Sequence, residues 1–247
     1  MSTKSISRKC LLCATLLVGA FPKLLSATDL IKVQFVQRPP FTVQSSNGSV
    51  EGILATPVEQ IFKRAGIPMQ WELTSVNRFW DAIANPVEMT CSVGWYKNPE
   101  REKLAKFTKS IYQDQPHVLL ARKQFSIDPN DKLEKLLASK TVRILIKNKY
   151  SYGLKIDAML IKYQTTTVLS DAENRQMVQQ LIANRADFMI ITREEAQYLI
   201  ENNDPNKDLQ ILIPKNMPDG EKRYILCNRL VSDEMIERLN RAITVQY

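Results

Sequence analysis

Residues 89–101 read Met-Thr-Cys-Ser-Val-Gly-Trp-Tyr-Lys-Asn-Pro-Glu-Arg, and the order of residue types in this stretch decides the fold. Met89 to Val93 is a short run without charge, the pattern of a buried strand. Gly94 to Lys97 reads as the loop that follows it. Asn98, Pro99 and Glu100 then open a helix: Asn98 suits the N-cap, proline suits the first turn, and an acid suits the positive end of the helix dipole. A strand passing through a short loop into a helix is one half of a βαβ unit.

The same unit recurs on both sides. Ile31–Val36 reads as a strand, and Thr56-Pro57-Val58-Glu59 as a capping box opening a helix that Gly66 closes. Met69–Thr74 is the next strand and Asn77–Ala84 a short helix. Beyond residue 101, Val118–Arg122 is a strand, followed by a charged, proline-containing stretch from Lys123 to Lys135. The rhythm then restarts with strands at Val142–Ile146, Thr165–Leu169 and Asp187–Ile191. The intervening helices are expected over Leu154–Tyr163, after a capping box at Ser170–Glu173, and over Arg193–Asn202. Met177, Val178, Leu181 and Ile182 give the second of these its apolar face. Asn203–Asp208 is a polar turn and Pro214–Gly220 a loop rich in turn residues. Tyr224–Leu230 is a last strand, and Ser232 caps a last helix. The alternation predicts an α/β fold, parallel-rich, with helices on both sheet faces, in two lobes divided near residue 123.

Length and composition agree: 247 residues, 44% hydrophobic and 24% charged, are ordinary for a globular chain and exclude collagen-like or wholly disordered classes. Residues 1–27 read as a cleaved signal peptide, with Lys4, Arg8 and Lys9 ahead of an uncharged run from Cys10 to Phe21 and a small residue, Ala27, at the cut. That run is too short to span a bilayer. Without the leader the chain keeps 30 basic and 26 acidic side chains, a net charge of +4, too weak and dispersed for a nucleic-acid surface. Cys91 and Cys227 remain, an even pair in an exported protein. Two cysteines and one histidine offer no metal cluster, and no cofactor motif appears. His117 reads as structural or exposed, not catalytic.

Segments after the predicted strands, and one that leads into the strand at Asp187–Ile191, carry a resemblance. Arg38-Pro39-Pro40-Phe41, then Gly94 to Arg101, then Phe107-Thr108-Lys109-Ser110-Ile111-Tyr112, and later Asn184-Arg185-Ala186-Asp187, resemble in order and spacing the periplasmic solute-binding proteins of family 3. This class includes the amino-acid receptors of ABC transporters. The resemblance implies the type II periplasmic binding fold, two α/β lobes joined by a two-strand hinge with the ligand cleft between them. It implies a first lobe over residues 28–122, a second over 123–215 and a return to the first over 216–247. The crossings would be Val118–Lys123 and Pro214–Lys222. It places the returning strand beside the third strand, so that Cys91 and Cys227 would form a disulfide, with two buried free thiols as the alternative.

The resemblance also supplies candidate ligand residues. Arg101 matches the arginine that grips a ligand carboxylate, a task suited to paired, charge-assisted bonds. The plainer reading is a surface arginine pairing with Glu100 or Glu102. Asn98 stands where the family commonly has threonine, to cap the helix and reach the ligand. Phe41, Trp95 and Tyr96 would wall the cleft, if not spent on core packing. Arg78 offers a second positive charge or a solvated surface. Tyr150, Ser151 and Tyr152 precede a helix whose N-terminus would face the ligand. Thr192 stands where amino-acid receptors place the aspartate that binds the ligand ammonium, which favours a carboxylate or other small anion without an amino group. The implied function is capture of a small, carboxylate-bearing solute by hinge closure, with amino-acid transport through an ABC permease as the family setting and a monomer as its state. An enzyme of dehydratase type on the same fold, or an orphan sensor domain, is the alternative. Glu100 is the one evident carboxylate beside Arg101, and its first-turn role explains it without catalysis.

Overall fold

The computed structural model describes residues 30–244; the signal-peptide reading of residues 1–27 lies outside the described residues. The chain begins with β1 (Ile31–Phe35), a hairpin of β2 (Val43–Gln44) and β3 (Val50–Glu51), α1 (Ala55–Ala65), β4 (Met69–Leu73), α2 (Val76–Ala84), β5 (Thr90–Tyr96), α3 (Pro99–Leu104) and β6 (Lys106–Gln113). A second unit follows: β7 (His117–Arg122), α4 (Leu133–Ala138), β8 (Ile144–Lys147), α5 (Leu154–Lys162), β9 (Thr167–Ser170), α6 (Asn174–Ile182), β10 (Phe188–Thr192), α7 (Arg193–Asn203) and β11 (Leu209–Leu212). The chain then returns with β12 (Lys222–Cys227) and α8 (Asp233–Ala242).

Two five-stranded sheets result, ordered β4-β1-β5-β12-β6 and β11-β7-β10-β8-β9. Each is half parallel: β1 runs parallel to β4 and β5, and β8 to β9 and β10, while β12, β7 and β11 pair antiparallel. The pleat sends alternate side chains to opposite faces. Ile225 and Cys227 of β12 join the core under α1 and α8, whereas Leu226 between them packs with Phe79 and Ile83 of α2. In the second sheet, Met189 and Ile191 of β10 face α6 and α7, and Phe188 and Ile190 face α4 and α5. Both sheets are thus covered by helices on two faces, the α/β layering expected of such patterns.

The first crossing differs from the expected one. β7 pairs with β10 and β11, so Val118–Arg122 belongs to the second sheet, and the chain changes sheets at Asp114–Pro116. The reason is hydrophobic pattern: Val118 to Ala121 is buried on both faces, as only an internal strand can be. Residues 213–221 carry the chain back. There the two connections touch: the Asp114 N–H donates to the Glu221 carbonyl at 3.0 Å, and a Cβ on Gly220 would lie 1.7 Å from the Asp114 carbonyl oxygen. Only glycine permits that approach.

Three local expectations are also corrected. Gly94, Trp95 and Tyr96 continue β5 instead of forming a loop, because β12 pairs with Trp95 and Tyr96. Helix α1 starts at Ala55 with Leu54 as N-cap and no side-chain cap, so Thr56 and Glu59 make no capping box. The box before α6 is made by Glu173 and Gln176, not by Ser170. Asn98, Thr192 and Ser232 do cap their helices, accepting from the backbone N–H of Arg101, Glu195 and Met235. Cys91 and Cys227 face each other across β5 and β12 and are joined as a disulfide.

Candidate functional site

The cleft between the sheets is built from strand ends. The end of β1 runs on into Val36–Thr42, β5 supplies Ser92 to Tyr96, and the segment after β8 brings Lys149 to Ser151 from the other lobe. Ligands of open α/β sheets bind beyond such carboxyl ends. These segments enclose a cavity of about 50 Å³, several times what one water needs. Its walls are largely apolar, from Phe35, Phe41, Leu54, Phe79, Val93 and Trp95. Gly94 holds a positive φ of 81° within β5, and its carbonyl accepts from the Arg223 guanidinium at 2.7 Å.

Arg101, from the first turn of α3, reaches the cavity between aromatic rings. Its guanidinium lies 5.1 Å from the Trp95 ring centre and 5.5 Å from that of Trp80, and one nitrogen donates to the Tyr96 carbonyl at 2.7 Å. Burial lowers its pKa from the ordinary arginine value, against the raising influence of Asp157. Among the described residues no carboxylate approaches it within ion-pair distance, so the surface pairing with Glu100 or Glu102 is not made. A half-buried arginine lacking a counter-charge is poised for an anion.

Behind the cavity lies a closed polar network. Arg223 is 1% exposed; its Nε donates to Asp114 at 2.6 Å, while the Tyr96 hydroxyl donates to the other Asp114 oxygen at 2.5 Å. Burial alone would lower the Arg223 pKa, but Tyr96 and Asp114 beside it hold it above the ordinary value. Phe41 lies under the same guanidinium, 4.2 Å from ring centre to cation. Buried His117 is pushed down to about 4 by desolvation and is neutral at pH 7.

The two lobes are in contact across the cleft. Arg38 donates through two nitrogens to both oxygens of Glu195, each at 2.8 Å, and its guanidinium lies 5.2 Å from the Tyr150 ring centre. The Tyr112 hydroxyl donates to Glu194 at 2.7 Å, and Lys149 Nζ to Asn77 at 2.8 Å. For Glu195, burial would raise the pKa, yet Arg38 and its hydrogen bonds hold it below the usual carboxylate value. These contacts describe a closed arrangement.

Of the residues expected from sequence, Phe41, Trp95, Tyr96, Arg101, Tyr150 and Ser151 line the cavity together. The others do not. Arg78 is exposed on α2. Asn98 borders an outer groove beside Arg101, its oxygen accepting from the Arg101 N–H at 2.9 Å. Tyr152 turns into the second lobe's core, where its hydroxyl accepts from the Lys147 N–H at 2.8 Å. Thr192 is 1% exposed and spends its hydroxyl on Glu195. Sequence reasoning missed Arg38, Arg223, Asp114 and Glu195 as a set. Arg38 opens the Arg38–Phe41 segment and Arg223 lies at the charged start of β12, but their partners lie 157 and 109 residues away in sequence.

Two α/β lobes linked by two connections, with a lined cavity between them, define the type II periplasmic binding fold. The family model for bacterial extracellular solute-binding proteins, family 3, matches residues 31–244, and the chain belongs to that family. Solved structures agree on the fold. An ancestral arginine-binding protein bound to arginine is 17% identical with a TM-score of 0.68, covering 87% of this chain and 91% of that one. The holo arginine-binding protein of T. maritima is 20% identical with a TM-score of 0.67, covering 87% and 89%. The ancestral amino acid-binding protein AncCDT-1, a precursor of cyclohexadienyl dehydratase, is 16% identical with a TM-score of 0.67, covering 87% and 88%. No curated protein matches the sequence. No described helix is long and apolar enough to cross a membrane.

Proposed function

We propose that this chain is a periplasmic receptor, exported by its N-terminal signal, that captures a small carboxylate-bearing solute between its lobes and presents the closed form to an ABC-type permease as a monomer. The observation that carries this reading is Arg101, half-buried at the cavity with no carboxylate partner among the described residues. Closure would follow from differential affinity: a solute touching both lobes favours the closed state. The Arg38–Glu195 and Tyr112–Glu194 contacts supply the protein's own share of that preference.

The test is thermal melting of the exported chain against amino acids, small carboxylates and other small ions, with the recovered ligand analysed. A ligand at about 100 times its dissociation constant adds about 2.7 kcal/mol. A melting shift with one carboxylate class, the compound recovered unchanged, supports a receptor. A shift with product formation moves the assignment to a lyase on this fold, the reading that the dehydratase-precursor neighbour keeps open. No shift with any compound refutes the proposal.

A further inference from the structure

The charged residues lining the cavity are Arg38, Arg101, Lys149 and Arg223, all basic. Two of them are neutralised from behind. Arg223 is paired with Asp114, and Arg38 with Glu195, and neither carboxylate lines the cavity. Arg101 and, at the exposed mouth, Lys149 keep their charge, since their partners are a backbone carbonyl and the neutral amide of Asn77.

Glu195, the carboxylate behind the lining residue Arg38, is saturated. Its Oε1 accepts from Arg38 and from Asn174 at 2.7 Å, and its Oε2 from Arg38 and from the Thr192 hydroxyl at 3.0 Å. A carboxylate offers about four acceptor positions, and all are filled. Asp157, in the groove outside the cavity, accepts from the Ser151 hydroxyl and the Tyr152 N–H.

We propose that the cleft selects a compact carboxylate with an apolar body and no ammonium group, such as a 2-oxo acid, because every charged side chain lining it is basic and Glu195 behind Arg38 is already filled. This deepens the receptor reading and rests on it. The carboxylate would meet Arg101. The apolar body would lie against Phe41, Phe79 and Leu54. Inside the cavity an ammonium would face fixed cations, since no carboxylate is among the lining residues.

Calorimetry of the exported chain with matched pairs tests this: 4-methyl-2-oxopentanoate against leucine, and phenylpyruvate against phenylalanine, with arginine and acetate alongside. The expected result is that an oxo acid binds about 100-fold more tightly than the amino acid of the same skeleton. An amino acid binding as tightly as its oxo acid, or more tightly, overturns the ligand class and leaves the receptor reading standing. No binding by any member overturns both. The Arg38→Ala variant releases two positions on Glu195, and although the lost bridge weakens closure for every ligand, the ratio of amino-acid to oxo-acid affinity within each pair should gain about tenfold. A folded Arg38→Ala chain with no such gain overturns the part assigned to Arg38. If that variant fails to fold, the wild-type pairs decide alone.

Discussion

Replacing Glu195 by glutamine removes the counter-charge of Arg38 at the contact that joins the lobes. Stripping one partner from a fully buried ion pair costs about 3–5 kcal/mol. Here the Glu195 side chain is 1% exposed but that of Arg38 is 22%, so water partly takes over the guanidinium. Glutamine also keeps an oxygen for one of the two Arg38 bonds. A loss of about 2 kcal/mol remains. When the lobes part, both groups are free to reach water, so the cost falls on the closed form alone. The closed-to-open ratio should drop by about 30-fold, and apparent ligand affinity by up to the same factor. Small-angle scattering without ligand reads the first quantity as an increased radius of gyration; calorimetry reads the second. A cycle with Arg38→Met isolates the pair from the bonds that Asn174 and Thr192 also make to Glu195. An unchanged scattering curve together with unchanged affinity would refute the claim that this bridge holds the lobes together.

Two further predictions concern stability. Cys91 and Cys227 close a loop of 136 residues, so the Cys91→Ala/Cys227→Ala variant should lose about 5 kcal/mol by loop entropy alone, read as a lower denaturant midpoint under oxidising conditions. His117, the single histidine, titrates at about 4 when folded and near 6.5 when unfolded, so the unfolded chain binds more protons between those values. Stability should therefore be full above about pH 6.5 and fall as pH drops toward 4, by about 3 kcal/mol over the whole window. The His117→Gln variant should flatten the slope of stability between about pH 6.5 and 5, where no other side-chain type ordinarily titrates.

The strand–helix alternation and the two-lobe architecture were legible because they are written in local periodicity. Ile225, Leu226 and Cys227 alternate faces, and Met177, Val178 and Leu181 share one, as their spacing requires. The crossing was misplaced because Val118–Arg122 reads equally well as an internal strand of either sheet; only its pairing with β10 and β11 decides. The position of Arg101, Phe41, Trp95 and Tyr96 at the cavity was legible from the segments that carry them. Tyr152 and Thr192 were misread for a physical reason: each hydroxyl is spent on a bond close in sequence, to Lys147 and to Glu195. Arg38 with Glu195, and Arg223 with Asp114, were illegible as pairs, since nothing local in a chain records which buried charge meets which across the cleft.

The central claim is that Arg101 anchors a ligand carboxylate inside the interlobe cavity. Titration calorimetry of the exported chain and its Arg101→Ala variant, with the tightest carboxylate from the melting panel, tests it most directly. Truncating one partner of a desolvated charge pair costs about 2–5 kcal/mol, so the account predicts a loss of affinity of at least about 30-fold, with the variant melting as a folded protein. Affinity retained within about twofold would contradict it, and would move the anion site away from Arg101.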